Sequence, residues 1–285
     1  MKHLGILVGT DADLPEELAK QNEIMIYPFA VHWEGHTGNM QDKDVLYTAM
    51  RQPSPVGSPQ TSQPAPQVFL DHFQTLLKTY QDILVLTISS EVSGCFNSAR
   101  QAQQQLPEIE RNRIHIVDSQ ASTGAEGLLA LKARELSRER KSIQEILTLL
   151  SLSQVRLFGT FDDPSWAQKG GRLSSIQATL VRHMIAQGFR PVLTLKKGQI
   201  ATHKIQMGTK EKVPALLAQL KDVCTPETSF TYAITHGDCP DQAEKLHEQI
   251  KVMYPNANCA YTNTLSAVLA AHVGPDSLVL SLLMQ

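Results

Sequence analysis

Residues 82–106, DILVLTISSEVSGCFNSARQAQQQL, run an apolar, β-branched segment into a serine-rich turn and then into a helical stretch. Strand, turn and helix in that order recur along the chain, and the alternation predicts an α/β fold with a largely parallel sheet and flanking helices. LGILVG (4–9), IMIYPFAV (24–31) and RIHIVDS (113–119) are the other strands expected in this half, with helices near 14–21, 43–51, 66–80, 94–106 and 123–139. Beyond a helix near 141–152 the pattern changes. VRLFGTF (155–161), a hairpin in PVLTLKKGQIATHKI (191–205) turning at Lys197-Gly198, SFTYAITH (229–236) and NCAYTN (258–263) alternate with further helices into a second unit. The expected division is an N-terminal α/β domain over 1–154 and a C-terminal α/β domain over 155–285.

The chain has 285 residues, enough for a sizeable core, and 26 basic against 28 acidic side chains. No basic excess favours nucleic acid or an anionic membrane, so nucleic acid is excluded as an expected partner. The apolar run at the N-terminus is too short for a signal peptide, and no segment is long enough to span a bilayer. A cytoplasmic location is expected. Cys95, Cys224, Cys239 and Cys259 form no C-x-x-C pair. His32 and His36 have i, i+4 spacing, but Gly35 and Gly38 oppose a helix there. No metal and no cofactor is expected, and the phosphate-binding glycine motifs are absent.

Ser93 sits where the strand ends and the helix begins, facing the crevice in which open α/β sheets bind ligands. It is either a helix cap or a ligand donor; the G-x-S-x-G elbow of a serine nucleophile is missing, since Glu91 and Cys95 stand at the glycine positions. Thr61 and Ser62 precede a proline-bounded helix start, where capping alone would also account for them. The Pro- and Ser-rich stretch 51–66 reads as a site loop. His272, before a Val-Gly-Pro turn, is a structural hydrogen-bonder or a group able to become a cation beside a carboxylate.

TSQP (61–64), ISSEVSG (88–94), IVDS (116–119), KGGRLS (169–174), RPVL (190–193) and HVGP (272–275) occur in this order and spacing. Through them the chain resembles, over nearly its full length, the DegV family of bacterial fatty-acid-binding proteins, which includes the carrier subunits of fatty acid kinase. The resemblance implies a two-domain fold with a lipid tunnel between the domains. Thr61 and Ser93 would hydrogen-bond the carboxylate of a long-chain fatty acid with His272 close by, Ser62 and Gly94 belonging to the same ligand-binding set. Arg172 would dock a partner fatty acid kinase, and the chain itself would be a monomer that performs no chemistry. The alternatives are a serine acyl hydrolase or transferase using Ser93 and His272, and a carrier of another small amphiphilic lipid. Four positions depart from the family pattern. Gly9-Thr10 stands for Asp-Ser, Cys95 for threonine, Asp276 for glycine, and Gln206 for an arginine in the region expected to meet the kinase.

Overall fold

The computed structural model describes residues 2–52 and 57–284, so residues 53–56 of the expected site loop lie outside the described residues. In chain order the strands are β1 (Lys2–Gly9), β2 (Ile24–Tyr27), β3 (Ala30–His32), β4 (Gln60–Ser62), β5 (Tyr80–Thr87), β6 (Ile114–Asp118), β7 (Gln154–Thr160), β8 (Arg190–Lys196), β9 (Gln199–Gln206), β10 (Phe230–His236), β11 (Ala257–Thr264) and β12 (Leu278–Met284). The helices are α1 (Glu16–Gln21), α2 (Lys43–Met50), α3 (Pro66–Leu77), α4 (Cys95–Gln104), α5 (Glu108–Arg111), α6 (Thr123–Arg138), α7 (Ile143–Leu152), α8 (Ser165–Lys169), α9 (Ser175–Ala186), α10 (Lys212–Val223), α11 (Pro240–Met253) and α12 (Ala267–Val273).

The first sheet has the order β2-β1-β5-β6 and is parallel throughout, as the strand–helix alternation requires. Its strands alternate faces. Leu7, Ile83 and Val85 pack with Leu46, Phe69, Phe73 and Ala99 of α2, α3 and α4. Ile6, Val8, Leu84 and Leu86 pack on the opposite side with Leu129, Ala133 and Ile146 of α6 and α7. Pro28 has no N–H for a ladder, and the strand expected over 24–31 breaks there into β2 and β3. β3 pairs instead with β4 in a small antiparallel ribbon that places Thr61 opposite Val31.

The second sheet runs β11-β10-β12-β7-β8-β9 and is mixed, its only parallel pair being β10 with β11. α10 and α11 cover its outer face through Leu216, Leu220, Leu246 and Ile250. The β8–β9 hairpin turns through Lys197 and Gly198, both left-handed at φ 51° and 79°, as a tight two-residue hairpin turn demands.

α6 lies between the two sheets, packed on β1 and β5 on one side and on β7, β10 and β12 on the other. Two glycines permit this. A Cβ on Gly124 would meet Ser281 Oγ at 2.9 Å, and one on Gly127 would fall 2.0 Å from Tyr261 Oη. The chain after β1 reinforces the contact: Tyr261 Oη donates to the Ala12 carbonyl, Thr123 Oγ1 donates to Asp13 Oδ2 at 2.6 Å, and the Ser266 N–H donates to Asp13 Oδ1 at 2.7 Å. The last of these ties the first sheet to the start of α12, the helix that carries His272.

A candidate ligand site between the sheets

A cavity of about 320 Å³ opens between the two sheets. Thr61, Ser93, Gly94, Arg172 and His272 all line it, from positions as far apart in sequence as 61 and 272. The rest of its wall is largely apolar, built from Leu157 of β7, Leu193 and Leu195 of β8, Val268 and Leu269 of α12, and Val279 of β12.

Thr61 and His272 meet directly, Oγ1 to Nε2 at 2.8 Å. His272 Nδ1 is buried with no partner among the described residues. Placing the ring proton on Nε2 lets it donate to Thr61 Oγ1 and leaves no N–H orphaned, so the threonine hydroxyl proton is free for a ligand. Burial, with the nearby Arg172 charge added, pushes the His272 pKa down to about 4, so the imidazole is neutral at physiological pH. Gly170 makes room for it: a Cβ there would lie 2.4 Å from His272 Nδ1. Gly171 supplies a left-handed residue at φ 72°, and the chain then delivers Arg172 to the cavity.

Ser93 belongs to the turn between β5 and α4. Its hydroxyl accepts the Cys95 N–H at 3.3 Å and keeps its own proton to donate. Asp118, from the IVDS stretch, fixes this turn: its carboxylate accepts the Ser90 N–H at 3.2 Å and the Ser90 hydroxyl. From the second sheet, the Gly198 carbonyl at the hairpin tip accepts from Ser89 Oγ at 2.8 Å. Arg172 Nη2 donates to the Val92 carbonyl at 3.1 Å, next to Ser93. Two hydroxyls, one guanidinium and a neutral histidine that can take up a proton thus converge beside an apolar chamber. Chemically this suits a small anionic group attached to an alkyl chain.

Two expectations change. Thr61 is not at a helix entrance; Ala65 occupies the N-cap of α3, and Thr61 is a strand residue of the β3–β4 ribbon. Ser62 does not line the cavity, because side chains alternate along β4 and Ser62 is exposed where Thr61 is half-buried. Arg172, expected to dock a partner, is solvent-exposed and also lines the cavity. Gln63 was not anticipated. It lines the cavity, bonds Ser98 Oγ at 3.1 Å, and packs on Gly94, where a Cβ would fall 2.3 Å from its Oε1. Gln206 lies at the end of β9, away from the cavity lining. His32 sits on β3, and His36 stacks on Trp33 with ring centroids 4.0 Å apart. The four cysteines are unpaired thiols.

The sequence profile of the family described as "Uncharacterised protein, DegV family" matches residues 3–285, and the chain belongs to the DegV family. It is 26% identical over 282 residues to Protein DegV of Bacillus subtilis, covering 97% of each chain. It is 27% identical over 286 residues to a fatty acid-binding protein of Thermotoga maritima, covering 95% of this chain and 94% of that one. Among solved structures, Bacillus subtilis DegV, a fatty acid binding protein, superposes with a TM-score of 0.84 at 24% identity over the full length of both chains. A stearic-acid-binding protein from Eubacterium ventriosum gives 0.83 at 19% identity, covering 99% of this chain and 98% of that one. Among the described residues no helix is long and apolar enough to cross a membrane.

Proposed function

We propose that this chain binds a long-chain fatty acid in the cavity between its two domains, divided near 154/155, with the carboxylate held by Thr61, Ser93 and Arg172 beside His272. The convergence of these groups on one apolar chamber is the observation that carries the reading. Each buried methylene contributes about 0.8 kcal/mol, so the acyl chain supplies most of the affinity. The head group must avoid the cost of leaving water unpaired, several kcal/mol for a carboxylate, and the hydroxyl and guanidinium donors offset it. Family resemblance supports a cytoplasmic, monomeric carrier that presents the carboxylate to a partner fatty acid kinase. Arg172, exposed and lining the cavity, is then placed to serve both the bound head group and that partner. The serine hydrolase alternative gains no support from the geometry, since His272 bonds Thr61 and Ser93 has no base as a hydrogen-bond partner among the described residues.

The reading is tested by calorimetry on delipidated protein, with a long-chain acid compared against the alcohol of equal length. The acid is expected to bind one per chain and more tightly, because donors aimed at an oxyanion lose part of their partner with the alcohol. Equal affinity for the two would place the head group elsewhere.

A further inference from the structure

Resting on the fatty-acid reading above, we infer that the acyl chain lies against the bare backbone of β7 at Gly159. The side chain missing there is space that the ligand occupies, which makes position 159 a determinant of how much chain the cavity accepts.

β7, β8 and β12 send alternate side chains to opposite faces of the second sheet. Phe158, Val192, Leu278 and Leu280 belong to the outer core with Leu216 of α10 and Leu246 of α11. Leu157, Leu193 and Val279 take the other face and line the cavity, and Gly159 lines it with them. Gly159 pairs with Leu193 on one side and with Val279 on the other, so it stands at the centre of an inward row whose flanking members are apolar side chains. The row has a notch at its middle.

A glycine inside a strand weakens it, and its usual grounds are a special backbone angle, a bulge, or the close approach of another group. The first two fail at Gly159. Its φ is not positive, and β7 keeps unbroken register with β12 from Gln154 to Thr160, the nearby register shift lying between β8 and β9. Crowding by the protein fails too. A Cβ on Gly159 would meet its nearest neighbour, Val279 Cγ2, at 3.5 Å, an ordinary contact distance. The other strand glycines among the described residues differ, for on β1 a Cβ would lie 3.0 Å from the Tyr80 ring at Gly5 and 1.9 Å from Asp11 Oδ1 at Gly9. What remains is a group that is not part of the chain. At about 10–15 Å³ of free space per group, the cavity of about 320 Å³ takes about twenty to thirty groups. A long-chain acid therefore fills most of it, and dense packing against the ligand extends to an apolar notch in the wall.

Gly159→Ala and Gly159→Val test this in delipidated protein through two readouts, the thermal midpoint without ligand and the calorimetric affinity for a saturated acid of about sixteen carbons. The readouts are expected to separate. A side chain that meets no obstacle and restricts the unfolded chain should leave the ligand-free midpoint equal to or above that of the unaltered protein. Each displaced methylene is worth about fourfold in affinity, so the alanine variant should bind about fourfold more weakly and the valine variant at least about tenfold. Affinity within about twofold of the unaltered protein in both variants would show that the acyl chain passes elsewhere. A ligand-free midpoint lowered in both would show that the glycine serves the protein's own packing. Either result overturns the inference and leaves fatty acid binding in place. If the unaltered protein takes up no acid, the fatty-acid reading and this inference fall together.

Discussion

His272 shows how one side chain can report the ligand. In the free protein, burial and the Arg172 charge hold its pKa near 4, below the ordinary 6.5. Because the folded-state value is depressed, the associated stability is fully present above about pH 6.5 and is lost as pH falls toward 4. A carboxylate bound beside it opposes that shift and favours the imidazolium. The His272 pKa measured by NMR titration is therefore expected to rise on adding fatty acid, and the imidazolium contribution to binding should grow as pH falls through the raised value toward about 4. The same pKa with and without ligand would exclude contact with the head group. Ser93→Ala and Thr61→Ala are each expected to weaken binding by about 1–3 kcal/mol, the cost of removing one partner of a buried charged group. Far-ultraviolet circular dichroism should show the fold intact, and unchanged calorimetric affinity in both variants would remove these hydroxyls from the site.

Among the elements, α6 carries a burden that its position between the sheets explains. Glu126 is fully buried in it, near Asp11 of the turn after β1, and burial raises both carboxyls above the usual range. Asp11 also fills the space over Gly9, where a Cβ would lie 1.9 Å from its Oδ1. Asp13, beside them, is pushed up to about 7 by burial. Raised carboxyl values mean stability that is complete below about pH 4 and is lost as pH rises through the folded-state values. Glu126→Gln should flatten that loss and raise the urea midpoint at pH 8 relative to the unaltered protein. Equal midpoints at pH 8 and an unchanged pH profile would show that the pair does not titrate in the folded state. These relations were not legible in the sequence, where α6 read simply as a helix over 123–139. β12 was missed altogether. LVLSLLM is a short apolar run whose period does not separate strand from buried helix, and its central place comes from pairing with β10 and β7 far away in the chain. β4 is three residues long, too short for any alternation to register, which is why Thr61 read as a helix-entrance residue.

Over the whole molecule, the α/β alternation, the parallel first sheet and the Lys197-Gly198 hairpin were readable from local pattern, because each depends on neighbours in sequence. Thr61, Ser93 and His272 were singled out by residue type and by family resemblance, but their meeting depends on α6 and the turn after β1 holding the two sheets together. Thr61 and His272 touch across 211 residues of sequence. The cavity's apolar walls had no signal at all, since Leu157, Leu193, Val268 and Val279 look like any other core residues until the sheets are assembled. A protein that encloses a ligand between its sheets, as proposed, should retain it through mild purification. Native mass spectrometry of the protein purified without detergent, followed by organic extraction, tests the central claim most directly. One long-chain fatty acid per protein chain is the expected result; a protein that carries an amphiphile lacking a carboxylate, or that takes up no fatty acid when one is supplied, would contradict it.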